Sequence, residues 1–185
     1  MGLGAYISAK LLKWSGWTIN VQLPDFDKCV ICVAPHTSNW DFILCELAYT
    51  SVGRKAGFLM KKDWFFFPLC NFFRAIGGVP VDRSRRTDLV EQIVEQFNKS
   101  EKITIAITPE ATRSANPNWK TGFYRIAMGA KVPIVLAYID YDKREIGIER
   151  TFEPTGDVEA DMVAIKRYYM KFNAKYKDKF VTGLE

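Results

Sequence analysis

The chain has 185 residues, 48% of them apolar, enough for one hydrophobic core and too few for two comfortable ones, so a single domain over 1–185 is expected. Lys and Arg number 26 against 21 Asp and Glu, a formal charge of +5 that favours anionic partners such as phosphates or acidic lipid surfaces. The basic residues form no long block and no nucleic-acid-binding signature interleaves them with aromatics, so nucleic acid is not an expected partner.

No apolar stretch approaches the ~20 residues of a membrane-spanning helix. No run near the start resembles a cleaved signal peptide, and the four cysteines at 29, 32, 45 and 70 suggest no disulfide framework, so the cytoplasmic side is expected. The opening "MGLGAYISAKLLKWSGW" predicts an amphipathic helix within 1–17. Leu3, Ile7, Leu11 and Trp14 are spaced by three to four residues, with Lys10 and Lys13 alongside. Such a stripe either lies in a lipid interface or docks on the protein's own core.

Further along, apolar period and turn residues predict a strand near 28–34, a helix over 39–51, a strand near 56–61 and an aromatic helical run over 63–74. A short strand at 79–82, a helix over 88–99 capped by Thr87 or Asp88, and the strand "ITIAI" at 103–107 follow. The pattern closes with a helix near 121–130, strands at 133–139 and 144–152, and a long last helix. There Val158, Met162, Ile165, Tyr169, Phe172 and Tyr176 form one stripe behind an Asp157 cap. Alternating strands and helices with nearly continuous apolar strands predict an α/β fold: a mostly parallel central sheet flanked by helices. Cys29 and Cys32 fall three apart on one strand and so point to opposite faces, which argues against a shared metal; no metal or cofactor is expected.

"VAPHTSNWDF" places His36, the chain's one histidine, just beyond the 28–34 strand, and ligands of open α/β sheets gather at such strand ends. Ser38 or Asn39 can cap the next helix, putting Asp41 in its first turn, from where it can hold one imidazole nitrogen. The other nitrogen would then be free to take a proton from a hydroxyl. Nothing independently supports Ser38 as a nucleophile. Taken alone, the spacing fits a helix-capping loop better than a dyad. Three later segments change the weighting. "GGVPVDRS" sets Arg83 beyond a strand, "ITPEATRS" sets Glu110 and Arg113 beyond another, and "NWKTGFYRIA" sets Lys120 before a helix. If these strands end on one edge, the cations converge near His36, and guanidinium groups suit phosphate oxygens.

In this order the segments resemble the blocks of the glycerolipid acyltransferase family, which includes 1-acylglycerol-3-phosphate acyltransferases. "HTSNWD" is similar to its HxxxxD motif, "GGVPVDR" to the second block, "TPEATRS" to the third, usually written PEGTRS, and "VPIVLAYI" to the fourth. "FLMKKDWFFFPL" resembles the segment between the first two blocks and adds Lys61 to the substrate-binding candidates. The resemblance implies the family's α/β fold and acyl transfer from a thioester, on coenzyme A or acyl carrier protein, to a hydroxyl of a lysophospholipid at the cytoplasmic membrane surface. It implies His36 as general base, Asp41 as its orienting partner, Arg83 on the acceptor phosphate, and Glu110 and Arg113 in the acceptor site. Two departures stand out: Ala111 replaces the third block's usual glycine, and the region before the first block is shorter than in many members. A thioesterase, an acyltransferase for another lysolipid or an amino-acid lipid, and a non-enzymatic lipid-binding module are the rival readings. Core burial is expected for about half of "DWFFFPLCNFF", with the remainder lining an acyl channel or meeting a bilayer.

Overall fold

A computed structural model describes residues 2–82 and 89–184. Strands β1 (Thr18–Val21), β2 (Lys28–Ala34), β3 (Gly57–Lys61), β4 (Gly78–Val81), β5 (Ile103–Ile107), β6 (Ile134–Asp140) and β7 (Glu145–Phe152) join in one sheet, ordered β1-β7-β6-β2-β5-β3-β4. Every neighbouring pair is parallel except β6 and β7, whose antiparallel ladder follows from the tight turn at 141–144. The expected mostly parallel sheet is therefore present, with β1 as an element the sequence reading passed over. Its four residues alternate too briefly to show a period, and its pairing with β7 supplies what local sequence lacks.

The helices are α1 (Leu3–Trp14), α2 (Asn39–Ser51), α3 (Leu69–Ala75), α4 (Leu89–Lys99), α5 (Gly122–Ala130) and α6 (Val158–Tyr169). Alternation along each strand sends side chains to two different helical layers. Val30 and Cys32 of β2 join Ile105, Ile134 and Leu136 in the larger core with α4, α5 and α6. Cys29 and Ile31 face the other way, with Val135 and Ala137. The two cysteines of the CxxC thus lie on opposite faces, as their spacing requires.

Three predicted elements differ in detail. The aromatic run is not one helix: a 3-10 turn over Lys62–Trp64 is separated from α3 by an irregular stretch ending at Pro68. Proline lacks an amide hydrogen and disfavours the helical region for the residue before it, here Phe67. Nor is the run core: Phe65, Cys70 and Phe73 are half-buried and the rest exposed, Phe67 by 85%. The last helix does begin behind Asp157, whose carboxylate accepts the Ala160 amide, but it ends at Tyr169. Phe172 stays buried beyond it, stacked on Tyr138 at 3.9 Å, while Tyr176 is exposed. Finally, α1 docks through Ala5, Ser8 and Leu12, and the predicted stripe of Leu3, Ile7, Leu11 and Trp14 faces outward. The small face makes the close approach to α2, and the larger side chains are left over. The expected caps at Thr87 and Asp88 lie outside the described residues.

Candidate active site

Because β2, β5 and β6 run parallel side by side, the residues that follow each one emerge on the same edge of the sheet. His36 follows β2, Glu110 follows β5 and Tyr141 follows β6. The loop between β2 and α2 folds around Asp41. Ser38 caps α2, accepting the Trp40 amide on its hydroxyl at 3.2 Å, while Asp41 reaches back so that its Oδ2 accepts the Thr37 and Ser38 amides, each at 2.7 Å. This is a capping box, with aspartate in the place more often held by glutamate.

The same Oδ2 lies 3.4 Å from His36 Nδ1, and Oδ1 accepts the Tyr141 hydroxyl at 2.6 Å. Asp41 is 2% exposed. Burial by itself would raise its carboxyl, yet the bonds from His36, Tyr141, Ser38 and Thr37 together outweigh that and hold it below the ordinary carboxylate range. The imidazole side chain is 20% exposed, with Nδ1 turned to the carboxylate and Nε2 left for a substrate. A 3.4 Å contact is long for a hydrogen bond, as in many unliganded sites, where such contacts tighten on binding.

Glu110 supports the loop from the other side. Its Oε1 accepts the His36 backbone amide at 2.7 Å, and its own backbone carbonyl accepts Asn116 Nδ2 at 2.8 Å. Burial pushes its carboxyl up to about 8, aided by the nearby Asp41 charge. The bond from the His36 amide works against that shift, and the net effect favours the protonated carboxyl beside Asp41. Ala111, next in the chain, has φ of +56°, so the left-handed backbone that glycine would adopt freely is kept here despite a Cβ. Arg113 then hydrogen-bonds the side chain of Asn39, at the start of α2.

A cleft of about 1000 Å³ opens beside this loop; its walls include His36, Asp41, Phe42, Phe58, Leu59 and Arg113, but not Glu110 or Tyr141. Phe42 and Phe58, both in its wall, meet edge-to-face at 4.9 Å. Of the candidate residues, the structure brings His36, Asp41, Glu110 and Arg113 together. Lys61 and Lys120 are exposed and do not line the cleft. Lys61 is the last residue of β3, and Lys120 is tied through its amide to the Pro109 carbonyl, so each comes near the edge in sequence without turning inward. Arg83 lies outside the described residues. Tyr141 is a candidate site residue that the sequence pattern does not reveal. Its signal was positional: it follows a strand adjacent and parallel to β2, which only the strand order reveals. No group of three or more His, Cys, Asp or Glu suited to a metal ion occurs among the described residues.

The site thus joins a histidine and a carboxylate, at the edge of the central strands of a mostly parallel α/β sheet, to a largely apolar cleft. The Acyltransferase family model matches residues 19–140, and the chain belongs to that family. It is 29% identical over 126 residues to the 1-acyl-sn-glycerol-3-phosphate acyltransferase of Escherichia coli strain K12, covering 65% of this chain and 50% of that protein. It is 26% identical over 149 residues to an uncharacterized acyltransferase of Schizosaccharomyces pombe, covering 72% of this chain and 52% of the other. The chain thus spans about half the length of these curated relatives. The fold is that of the crystal structure of the 1-acyl-sn-glycerophosphate acyltransferase PlsC from Thermotoga maritima, with a TM-score of 0.63 at 19% identity over 91% of this chain and 77% of that one.

Proposed function

We propose that the chain is an O-acyltransferase. It moves a fatty acyl group from an acyl thioester, on coenzyme A or acyl carrier protein, to a hydroxyl of a lysophospholipid, with 1-acylglycerol-3-phosphate as the favoured acceptor. The observation that carries this reading is the His36–Asp41 pair at the mouth of an apolar cleft, with Asp41 fixed by Thr37, Ser38 and Tyr141. His36 Nε2 removes the proton as the acceptor oxygen attacks the thioester carbonyl carbon. Asp41 stabilises the imidazolium that forms. When the tetrahedral intermediate collapses, the carbon–sulfur bond breaks and the departing thiolate takes the proton from His36. General-base help of this kind contributes typically ~10² to 10⁴-fold.

The tetrahedral oxyanion needs donors, and amides at the start of α2 are the nearest source. The Thr37 and Ser38 amides are engaged by Asp41, the Trp40 amide by Ser38, and the Asp41 amide by the Ser38 carbonyl. The Asn39 amide remains as the first-turn donor without an acceptor among the described residues, and it is the candidate for that role. Arg113, beside it, offers a guanidinium to the acceptor phosphate, and a neutral Glu110 spares that phosphate a repulsion.

A lipid acceptor also places the protein at a membrane surface. The outward stripe of α1, with Trp14 88% exposed, the neighbouring Lys10 and Lys13, and the exposed aromatics Trp64, Phe66, Phe67 and Phe72 support peripheral attachment. No helix among the described residues is long and apolar enough to cross a membrane. Replacing Trp14 and Leu11 together by Ser should cut flotation with vesicles containing anionic phospholipid. Unchanged flotation would make α1 purely structural.

The chemical test uses purified protein, an acyl-CoA and 1-acylglycerol-3-phosphate, with release of free thiol as the readout. Release should depend on the acceptor and fall by ~10²-fold or more in His36→Ala. Release indifferent to any lysolipid would instead define a thioesterase, and full activity in both His36→Ala and Asp41→Asn would refute the mechanism.

A further inference from the structure

The cleft has a smaller neighbour on the α2 side. A smaller apolar space of about 50 Å³ lies between α2 and the sheet, and it shares Val33, Cys45, Glu46 and Ala106 with the cleft. It is there because the side chains facing one another are small: Ala106 from β5, Ala137 from β6 and Ala48 from α2. Methyl groups cannot fill the distance between a helix and a sheet, so a gap remains.

Glu46 stands where the two spaces join. It is the one carboxylic acid among the residues around the smaller space, and it makes no hydrogen bond or ion pair with any described residue. Burial pushes its carboxyl up to about 7, with no charged neighbour contributing. On α2 it falls one turn beyond Phe42, on the same face. At 1.5 Å per residue it is roughly 10 Å along the axis from Asn39, where the catalytic loop enters the helix.

On the proposed acyl-transfer reading, a thioester whose carbonyl meets His36 would run its chain past Phe42 toward this carboxyl. An unsubstituted chain would strip water from Glu46 and return no hydrogen bond, a loss worth about tenfold or more in affinity. A chain carrying a hydroxyl would return the bond, because a carboxyl accepts in either protonation state. We propose that Glu46 is a specificity-determining residue of the acyl site, selecting acyl chains with a hydroxyl partway along their length over unsubstituted chains of the same length.

The test is a competition between hexadecanoyl-CoA and a set of its mid-chain monohydroxy derivatives, with 1-acylglycerol-3-phosphate as acceptor and products resolved by mass spectrometry. The native chain should favour at least one hydroxylated donor by about tenfold. Glu46→Leu should abolish or reverse that preference, and Glu46→Gln, whose amide oxygen still accepts, should keep most of it. Glu46→Met serves as the apolar variant if Leu prevents folding. Equal use of the donors by the native chain, or the same preference in the native and apolar variants, overturns the proposal. If no donor is turned over, the acyl-transfer reading has failed, and displacement of a fluorescent fatty acid by hexadecanoate and by its hydroxylated forms decides the role of Glu46 alone. Stronger displacement by a hydroxylated form, lost in the apolar variant, upholds it, and equal displacement overturns it.

Discussion

The two faces of the sheet are built to different ends. Toward α4, α5 and α6 the interior is continuous: Val30, Ile105, Phe123, Ile134, Leu136 and Tyr169 are all almost completely inaccessible. Two of its tyrosines are anchored there, the Tyr169 hydroxyl donating to the Cys32 carbonyl at 2.6 Å and the Tyr124 hydroxyl to Asp161 at 2.6 Å. Toward α1 and α2 the core is split into two smaller clusters with a space between α2 and the strands, and a carboxyl without a partner looks into it. The difference separates two demands. Close packing on one side supplies stability, and it leaves the other side free to hold small residues, polar atoms and a cleft that a packed core would fill.

The largest expected effect on stability therefore lies on the packed face. Phe123→Ala should destabilise the protein by about 3–5 kcal/mol in denaturant unfolding. Phe67→Ala, of the same chemistry but in the exposed aromatic segment, should stay within about 0.5 kcal/mol of the native chain. Equal losses at the two positions would erase the distinction.

Next comes the loop that carries His36 and Asp41, beside the open face. Tyr141→Phe removes one donor from the buried Asp41 carboxylate, a bond to a charged group typically worth about 1.5–3 kcal/mol. As a positioning change it should lower kcat about tenfold or more with little change in KM for the thioester. Asp41 should titrate at a higher pH, so the acid limb of the pH–rate profile should move upward. A fall in stability with an unaltered profile would make Tyr141 merely structural.

Within the site, the smallest effect is expected at Ala111. Because its φ of +56° lies in the left-handed region, Ala111→Gly should remove a strain of about 1–2 kcal/mol, partly offset by the greater freedom of glycine in the unfolded chain. The net gain should be below about 1 kcal/mol, read as a small rise in Tm with catalytic parameters retained. A loss of stability would show that the methyl group itself packs usefully beside the cleft.

How much of this was legible beforehand can be argued from a few residues. β2, β5 and β6 are short apolar runs with few alternatives, and α2 carries its own start signal in Ser38 and Asp41. These were readable because the information is local. The short strand β1 was not, since it is defined by its neighbour β7, and the break before α3 was misjudged because the aromatic period masked Pro68. Within the site, the spacing of His36 and Asp41 alone favoured a capped loop, and the later segments pointed to a pair; the cap that begins α2 proves to be the same construction that holds Asp41 against the imidazole.

What the sequence determined by itself is most of the elements, the capped loop carrying His36, and the ordered segments that placed the chain in its family, because all of these rest on spacing along the backbone. Only the tertiary structure decided which groups meet. Tyr141 reaches Asp41 across 100 residues and Glu110 reaches the His36 amide across 74, while Lys61 and Lys120 turn away. It also decided which stripe of α1 is buried and that Glu46 borders an apolar space. Those outcomes depend on strand order and on how closely one helix can approach another, and neither is written in the period of a single segment.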